Sequence, residues 1–438
     1  MTVDVVLKDG IFIENGRETI RSVAIEGGKI EGVYKHGDEP RFRDSIDCRG
    51  LYILPGLIDI HVHLRDLKES DKEDYETGTM AAAAGGVTTV VDMPNSNPPV
   101  LDKKTLDEKI SRAEELSYVN VGFYAGIPHN IDDFDVQMLK DILGLKVYPH
   151  SPLDKRTIYT KDRIKDCTKL AVTSGIPLLF HPDLPAPKKM PNDIEEFFLA
   201  HSCENEVQSV QSFVDAKIEY EARLHVCHVS CAATARLIYE NRAEDTLTAE
   251  VTPHHLFLSG GDFPQDNGIA KMLPPLRSPY DNRMLMDALC KTCAIDCVAS
   301  DHAPHKKWEK TAPFLTASSG IPGLETTMRL MLTEVFDKRL AWIDYLRVCS
   351  SAPARILGLE KKGIISKGYD ADIVLARIQE GTIKGDDFFS KAKITPFEGR
   401  RVLASVVTTI VGGVVVFDNG EFVTGPGIAG RIPVQKTG

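Results

Sequence analysis

Eight short apolar segments recur through the middle of the chain, and stretches of helical composition such as KKTLDEKISRAEEL and KDRIKDCTKLAVTSG separate them. The apolar segments are residues 57–62, 87–93, 119–124, 143–148, 176–180, 224–229, 247–251 and 295–299. Eight strands alternating with helices over roughly 250–300 residues are typical of a (β/α)8 barrel of the TIM type. The α/β alternative, a doubly wound open sheet, accounts less well for eight repeats.

The two ends of the chain have a different sequence pattern from the middle. Short apolar stretches there are broken by Gly-Gly, Asn-Gly and Asp-Gly pairs, which favour hairpin turns. We therefore predict a discontinuous small β-domain built from residues 1–54 and 364–438, and a barrel over residues 55–363. Residues 406–417 are strongly apolar, but Gly412 and Gly413 divide them into two halves, so we predict a hairpin and not a membrane segment.

Composition excludes several classes of protein. Lys and Arg number 52 against 63 Asp and Glu, so the formal net charge is −11 and a nucleic-acid-binding face is not expected. No apolar run reaches the roughly 18 residues of a membrane span. Nine irregularly spaced cysteines and a start without a leader pattern predict reduced thiols in a cytoplasmic protein.

Polar side chains fall in or just after the predicted barrel strands. They are His61, His63, Asn95, Lys146, His181, His228, Glu250 and Asp301. The carboxyl ends of barrel strands meet on one face, which is where active sites of this architecture are built. We therefore expect these side chains to lie together.

The segment LIDIHVH predicts a metal ligand pair. With strand periodicity of two, His61 and His63 share one face and can reach a single ion. A lone His-x-His equally fits two hydrogen-bonded side chains at a strand end. His181, His228 and Asp301 add two imidazoles and a carboxylate from other strand ends, and the joint set suits Zn²⁺.

Lys146, in GLKVY, is unusual among these residues because a charged lysine buried near cations is unfavourable. One resolution is that its amine has reacted with CO₂, since the resulting carbamate is an anionic oxygen donor that bridges two metal ions. The alternative is an ordinary salt-bridged lysine.

Motifs spread over residues 50–400 resemble those of the dihydroorotases, a family of the metal-dependent amidohydrolase superfamily. In chain order they are HVHLRD, MPNSNPP, GLKVY, the histidine of LLFHPD, HVCHVS, EVTPHHLFL, ASDHAPH, GIPGLET and TPFEG. The likeness is greatest to the long class that includes the dihydroorotase part of the animal multifunctional pyrimidine enzyme. The ends of the chain resemble the small β-domain of the superfamily.

The resemblance implies two zinc ions per chain. His61, His63 and Asp301 would bind one, His181 and His228 the other, and N6-carboxylated Lys146 would bridge them. Some long-class members use a bridging aspartate from the same loop region, and Asp154 keeps that alternative open. The resemblance also places five substrate contacts, three to the carboxylate and two backbone contacts to the ring, at Arg65, Asn95, His305, Pro322 and Gly323.

The reaction implied is the reversible cyclisation of N-carbamoyl-L-aspartate to L-dihydroorotate in pyrimidine biosynthesis, catalysed by a cyclic amide hydrolase. Hydroxide between the two zinc ions would attack the ring amide, and Asp301 would act as general acid and base. A homodimer and an association with aspartate carbamoyltransferase are open possibilities. Allantoinase or hydantoinase activity is the first alternative, and an inactive dihydroorotase-like scaffold subunit is the second.

The sequence departs from the family pattern in three places. Leu67-Lys68 follows Arg65-Asp66 where Pro-Gly is common, and Leu273 stands where many relatives have Asn. The loop PHSPLDKRTIY after Lys146 also differs, and loops at such positions act as lids. These changes leave the ligand positions intact and bear on the fit of the substrate.

Three further groups could be read as metal sites. Cys227 and Glu250 lie near His228 and the penultimate strand end, and they raise the question of an extra metal ion bridging from His61. The alternative is a buried thiol and a supporting carboxylate. For the adjacent pair His254-His255, packing or support of a ligand is the better interpretation. For Cys290-x-x-Cys293 in a predicted helix, no second CxxC is present to complete a structural zinc site.

Overall fold

The computed structural model describes residues 2–185, 191–242, 246–428 and 432. It contains an eight-stranded parallel sheet wrapped into a barrel and a separate nine-stranded sheet. In the described residues, no helix is long and apolar enough to span a membrane.

The nine-stranded sheet takes strands from both ends of the chain. The strands are β1 (Thr2–Glu14), β2 (Arg17–Glu26), β3 (Lys29–Tyr34), β4 (Arg41–Asp47), β5 (Tyr52–Pro55), β14 (Ile373–Thr382), β15 (Arg401–Val411), β16 (Val414–Asp418) and β17 (Glu421–Phe422). Their order in the sheet is β17-β16-β15-β14-β5-β1-β2-β3, and β4 pairs with β1. The short strand β5 joins the two ends, because it pairs parallel to β1 and antiparallel to β14.

The barrel strands follow one another in chain order, and every pair is parallel. They are β6 (Leu57–Val62), β7 (Val87–Asp92), β8 (Asn120–Ala125), β9 (Gly144–Val147), β10 (Leu178–Phe180), β11 (Leu224–Val226), β12 (Leu247–Val251) and β13 (Cys297–Val298). All eight predicted strands are confirmed. The barrel closes just past β13 through a single bridge between Val62 and His302.

Helices fill the connections. They are α1 (Tyr75–Ala84), α2 (Lys103–Leu116), α3 (Lys161–Ser174), α4 (Ile194–Ala200), α5 (Cys203–Tyr220), α6 (Ala232–Glu240), α7 (Pro253–Phe257), α8 (Pro279–Cys290), α9 (Lys307–Lys310), α10 (Leu324–Phe336), α11 (Trp342–Leu346) and α12 (Ala352–Ile356). Asp74, Asp102 and Thr160 accept backbone hydrogen bonds at the starts of α1, α2 and α3, as N-cap residues do.

The hairpin predicted for residues 406–417 is confirmed, since β15 and β16 pair antiparallel on either side of Gly412 and Gly413. The terminal strands of the nine-stranded sheet lie within residues 2–55 and 373–422. The domain boundaries at 54 and 364 stay predictions, and the tail assigned to the small domain lies outside the described residues from 429 onward, except Ile432.

Candidate active site

A cavity of about 260 Å³ lies where the barrel strands end. Its lining includes eight of the predicted site residues, namely His61, His63, Arg65, Asn95, His181, His228, Asp301 and His305. Lys146 is fully buried on β9. Pro322 and Gly323 are not among the lining residues, and the Gly323 N–H is held by His302 Nδ1 at 3.2 Å.

The backbone turns sharply at three of the cavity residues. Arg65, His228 and Asp301 adopt φ values of 57°, 31° and 48°, a region that residues with a side chain rarely enter. Such strain persists only when surrounding contacts hold it, and it concentrates at functional sites. Beside Arg65, the buried Asp66 carboxylate provides such a contact, because it accepts hydrogen bonds from Tyr75 N at 3.1 Å and from the Arg112 guanidinium.

One part of the cavity, the carboxylate half, consists of His61, His63 and Asp301. The Nε2 atoms of His61 and His63 lie 3.3 and 3.0 Å from Asp301 Oδ1. Their other nitrogens are engaged: His61 Nδ1 bonds to Glu250 Oε1, and His63 Nδ1 lies 2.6 Å from Asn95 Oδ1. With a metal ion bound, a proton on each Nδ1 would leave both Nε2 lone pairs free to coordinate it, which is the arrangement found around metal-bound histidines.

The ionised carboxylates of the carboxylate half favour a cation between them. Burial disfavours the charged form of His61, but Glu250 and Asp301 outweigh that effect and raise its pKa to about 10. Burial likewise opposes ionisation of Asp301, but His61 and His63 outweigh it and lower its pKa. Two ionised carboxylates therefore surround one imidazole in the interior. A divalent cation satisfies the same demand, so the donor set fits a metal ion.

The other part, the histidine half, consists of Lys146, His181 and His228. His181 Nδ1 lies 2.9 Å from His228 Nε2, and burial lowers the pKa of His181 to about 3 and that of His228 well below its usual range. Both rings are therefore neutral and available as ligands. His228 Nδ1 is buried and has no hydrogen-bond partner among the described residues.

Lys146 has no carboxylate within 4.0 Å in the part of the chain that the structure describes. Its Nζ lies 2.8 Å from Cys227 Sγ and 4.8 Å from the centre of the Tyr148 ring. The alternative bridge, Asp154, pairs instead with Arg156 at 2.7 Å and does not line the cavity. A fully buried lysine without a counter-ion is the situation in which conversion to a carbamate removes an unfavourable charge.

Arg65 and His305 also line the cavity. Arg65 Nη2 lies 3.3 Å from His305 Nε2, and its Nε contacts the Pro304 carbonyl at 3.4 Å. Burial lowers the pKa of Arg65, and burial together with Arg65 lowers the pKa of His305 to about 2. No carboxylate of the described residues lies within 4.0 Å of the Arg65 guanidinium. A buried cation without a counter-ion, facing a cavity, is a site for an anionic ligand.

Sequence reasoning missed several lining residues: Tyr148, Ser151, Ala303, Ser319 and Gly320. Gly320 has φ 126°, and a Cβ there would lie 2.7 Å from Ala303 Cβ, so no larger residue fits. Gly320 is the first residue of the motif GIPGLET, and its place in that motif was the available signal. Leu273, noted as a departure, does line the cavity.

The remaining candidate ligands differ in position. Cys227 and Glu250 lie with His61 in a group whose ligand atoms are all within 4.8 Å of one another. His255 Nε2 donates to the Pro274 carbonyl at 3.1 Å, and neither His254 nor His255 lines the cavity. Cys290 ends α8 and Cys293 lies beyond it, so the prediction that both sit in a helix was wrong. No potential metal group in the described residues includes either of these two cysteines.

Comparison with known proteins agrees with this geometry. The amidohydrolase family model matches residues 52–416. The dihydroorotase of Methanosphaera stadtmanae is 35% identical over 427 residues, covering 95% of this chain and 97% of that protein. The dihydroorotase of Lactobacillus gasseri is 33% identical over 434 residues, covering 95% and 99%.

Solved structures support the architecture. The L-hydantoinase (dihydropyrimidinase) of Arthrobacter aurescens superposes with a TM-score of 0.91 over 98% of this chain and 100% of that one, at 24% identity. A dihydropyrimidinase from Brevibacillus agri gives a TM-score of 0.84 at 24% identity, with 98% of both chains covered. At this level of identity the likeness establishes the barrel and its accompanying β-sheet.

Proposed function

The chain belongs to the amidohydrolase family and, within it, to the dihydroorotases, and from this premise we propose how its cavity performs the reaction. The protein is a metal-dependent cyclic amide hydrolase that interconverts L-dihydroorotate and N-carbamoyl-L-aspartate. Its substrate is a small anion, although the protein itself carries a net charge of −11. The local charges of the cavity decide binding, since surface charges beyond about 8–10 Å are screened.

One observation carries the assignment of the substrate: the buried guanidinium of Arg65 in the cavity wall has no carboxylate within 4.0 Å among the described residues. A ring carboxylate would supply the missing anion, and the planar fork of an arginine matches a carboxylate with two parallel hydrogen bonds. His305 lies beside it at 3.3 Å, and Asn95 reaches the same cavity. Rings without a carboxylate, such as hydantoin, would leave the guanidinium unpaired.

We assign two zinc ions to the ligand cluster. His61, His63 and Asp301 would hold one ion, and His181 and His228 the other, with the carbamate of Lys146 between them. When bound, such ions lower the pKa of water and polarise the amide carbonyl. Glu250 and Asn95 fix the rings of His61 and His63 through their Nδ1 atoms, so the ligand nitrogens are oriented before any ion arrives.

Asp301 moves the proton. His61 and His63 keep its carboxylate ionised, so in the hydrolytic direction it accepts a proton from the attacking water. It then delivers that proton to the ring nitrogen as the amide bond breaks. Arg65, His305 and Asn95 hold the substrate carboxylate during this transfer, which fixes the ring carbonyl relative to Asp301. Cyclisation follows the same path in reverse.

The experiment is a direct comparison of substrates. Purified zinc-loaded protein is assayed with dihydroorotate, allantoin and hydantoin at matched concentrations. We expect turnover of dihydroorotate and little or none of the other two. Ring opening of allantoin or hydantoin with dihydroorotate untouched would refute the proposal in favour of the alternative hydrolases.

The scaffold alternative predicts lost ligands, whereas all six ligand positions here carry a suitable side chain. Metal analysis tests it, because fewer than one zinc per carefully prepared chain would revive it. A homodimer, an association with aspartate carbamoyltransferase and a cytoplasmic location stay predictions. Sedimentation of the protein alone and with aspartate carbamoyltransferase tests the first two.

A further inference from the structure

A second group of potential ligands lies near the cavity and takes no part in the reaction described above. It comprises His150, Asp183 and His201, which we call the outer cluster. The three residues come from separate parts of the chain: the loop after β9, the loop after β10 and the end of α4.

The outer cluster is compact. His201 Nδ1 lies 2.5 Å from Asp183 Oδ2, and His150 Nδ1 lies 3.8 Å from the same oxygen. The two imidazole rings are 4.5 Å apart. One ligand atom from each residue lies within 4.8 Å of the other two. Ligands 2.0–2.1 Å from a tetrahedral zinc ion are about 3.3 Å apart, so only small shifts would admit an ion.

The backbone of Asp183 and His201 is held in place by hydrogen bonds. Ser209 Oγ donates to the Asp183 carbonyl at 3.0 Å, and Arg277 Nη1 donates to the His201 carbonyl at 2.7 Å. Asp183 and His201 are buried, whereas the His150 side chain is 21% exposed. Two fixed ligands with a third at the surface provide both preorganisation and a path of entry for an ion.

We propose that His150, Asp183 and His201 form an outer site for a divalent zinc-type ion. This site is separate from the ligand cluster of the cavity, which we call the inner cluster and which consists of His61, His63, Lys146, His181, His228 and Asp301. Two imidazoles and one carboxylate are a ligand set that zinc accepts, with water in the fourth position. The separation of 3.8 Å between His150 and Asp183 is too long for a hydrogen bond. Hydrogen bonding within the outer cluster therefore explains the contact of Asp183 with His201 but not its proximity to His150.

An ion in this site acts on the cavity in two ways. His150 precedes Ser151, which lines the cavity, so the ion ties that wall to the end of α4. Asp183 Oδ2 also lies 4.0 Å from His181 Nε2, so the ion competes for a carboxylate beside an inner ligand. We expect occupation of the outer site to slow turnover, because the ion neutralises the carboxylate charge that lies beside His181.

The test is a count of bound ions. Protein with its inner cluster already loaded is dialysed against increasing Zn²⁺, and zinc per chain is measured for wild type, His150→Asn and His201→Gln. We expect wild type to bind one ion more than either variant. The test compares the zinc bound by wild type with the zinc bound by each variant. The comparison is therefore valid for any number of ions in the inner cluster and for any reaction that the protein catalyses.

A matched control removes a histidine from an exposed group elsewhere. His36 lies with Asp9 and Glu39 in the nine-stranded-sheet region and is well exposed. His36→Gln should bind as many ions as wild type. Equal counts in wild type, His150→Asn and His201→Gln would overturn the proposal, and loss of the extra ion in His36→Gln alone would assign it to the exposed group.

Inhibition provides the second readout, and it does not depend on the buried variant folding. Turnover is measured at zinc just sufficient for the inner cluster and again at tenfold excess. We expect excess zinc to slow wild type severalfold and to leave His150→Asn, a substitution at a partly exposed loop position, unaffected. Equal inhibition of wild type and His150→Asn would contradict the role of the outer site in turnover.

Discussion

The two halves of the ligand cluster are built differently. In the carboxylate half, the second nitrogens of His61 and His63 are hydrogen-bonded by Glu250 and Asn95, so the protein alone fixes the rings. In the histidine half, His228 Nδ1 has no partner among the described residues and Lys146 has no counter-ion there. All these residues except Asn95 are buried, so unmet polar groups in the second half are costly.

The difference indicates how the cluster assembles. The carboxylate half carries negative charge and oriented nitrogens before any ion binds, so we expect it to take the first ion with high affinity. The histidine half becomes complete only when an ion and the carbamate of Lys146 are present together. The two halves should therefore respond differently to substitution and to removal of CO₂.

The largest effect is expected at Asp301, which serves as both ligand and proton carrier. Asp301→Asn should lower kcat about 10⁴-fold, at the upper end of what a general acid–base group contributes. The measurement is the rate of dihydroorotate hydrolysis with zinc content determined alongside. Asp287→Asn, a surface change on α8, is the control. A rate within tenfold of wild type would remove Asp301 from its assigned role.

Lys146→Ala tests the histidine half. Loss of the bridge should remove at least one ion and lower the rate at least about 10³-fold. Metal assistance contributes several kcal/mol to the lowering of the barrier, and each tenfold change in rate corresponds to about 1.4 kcal/mol. Lys169→Ala on the exposed face of α3 is the control. A near-normal rate with two ions retained would mean that the bridge lies elsewhere.

The carbamate itself is tested by metal removal. Chelated wild-type protein supplied with Zn²⁺ should regain full activity in bicarbonate buffer and only a small fraction in CO₂-free buffer, because the histidine half stays incomplete without CO₂. Activity and zinc content are followed over time. Full and equally fast recovery in both buffers would rule out a carboxylated lysine.

Glu250→Gln tests the support given to the carboxylate half. The substitution keeps the shape but weakens the hold on His61, and loss of such a supporting group typically lowers metal affinity about 10–100-fold. Competition with a chelator measures the affinity. Glu240→Gln, at a surface ion pair, should leave affinity unchanged. The same affinity in both variants would show that the two halves do not differ as described.

The smallest effect is expected at Arg65, outside both halves. Arg65→Lys keeps the charge but loses the two-pronged contact, so KM for dihydroorotate should rise about tenfold, the equivalent of one charged hydrogen bond of about 1.5 kcal/mol. Zinc content should not change. Arg236→Lys, at an exposed position of α6, is the control. Unchanged KM and kcat would refute the assignment of Arg65 to the substrate carboxylate.

Much of the fold was predictable because local patterns carry it. Each barrel strand is an apolar run, and several of these runs contain or end at a histidine. The carboxyl ends of the strands meet on one face of the barrel, so the histidines lie together there. The hairpin at Gly412 and Gly413 follows from the same kind of local signal. Strand periodicity and turn chemistry act over a few residues, so a single sequence displays them.

Other features depend on pairings far apart in the chain. Glu250 supports His61 across 189 positions, and β5 enters the terminal sheet between β1 and β14. The barrel closes through His302 and not through a full strand ladder. No local pattern encodes these contacts, because each depends on where distant segments settle in three dimensions. The roles of the individual site residues stay predictions for the same reason.

Under the proposed function, the cavity selects a ring by its carboxylate through Arg65. The most direct measurement is kcat/KM for dihydroorotate relative to dihydrouracil, the same ring without the carboxylate, in wild type and in Arg65→Met. We expect a ratio of at least about 100 in wild type, which corresponds to roughly 2.7 kcal/mol of preference for the ring with the carboxylate. In Arg65→Met the ratio should fall close to one. A wild-type ratio near one, or a ratio that Arg65→Met leaves unchanged, would contradict the claim.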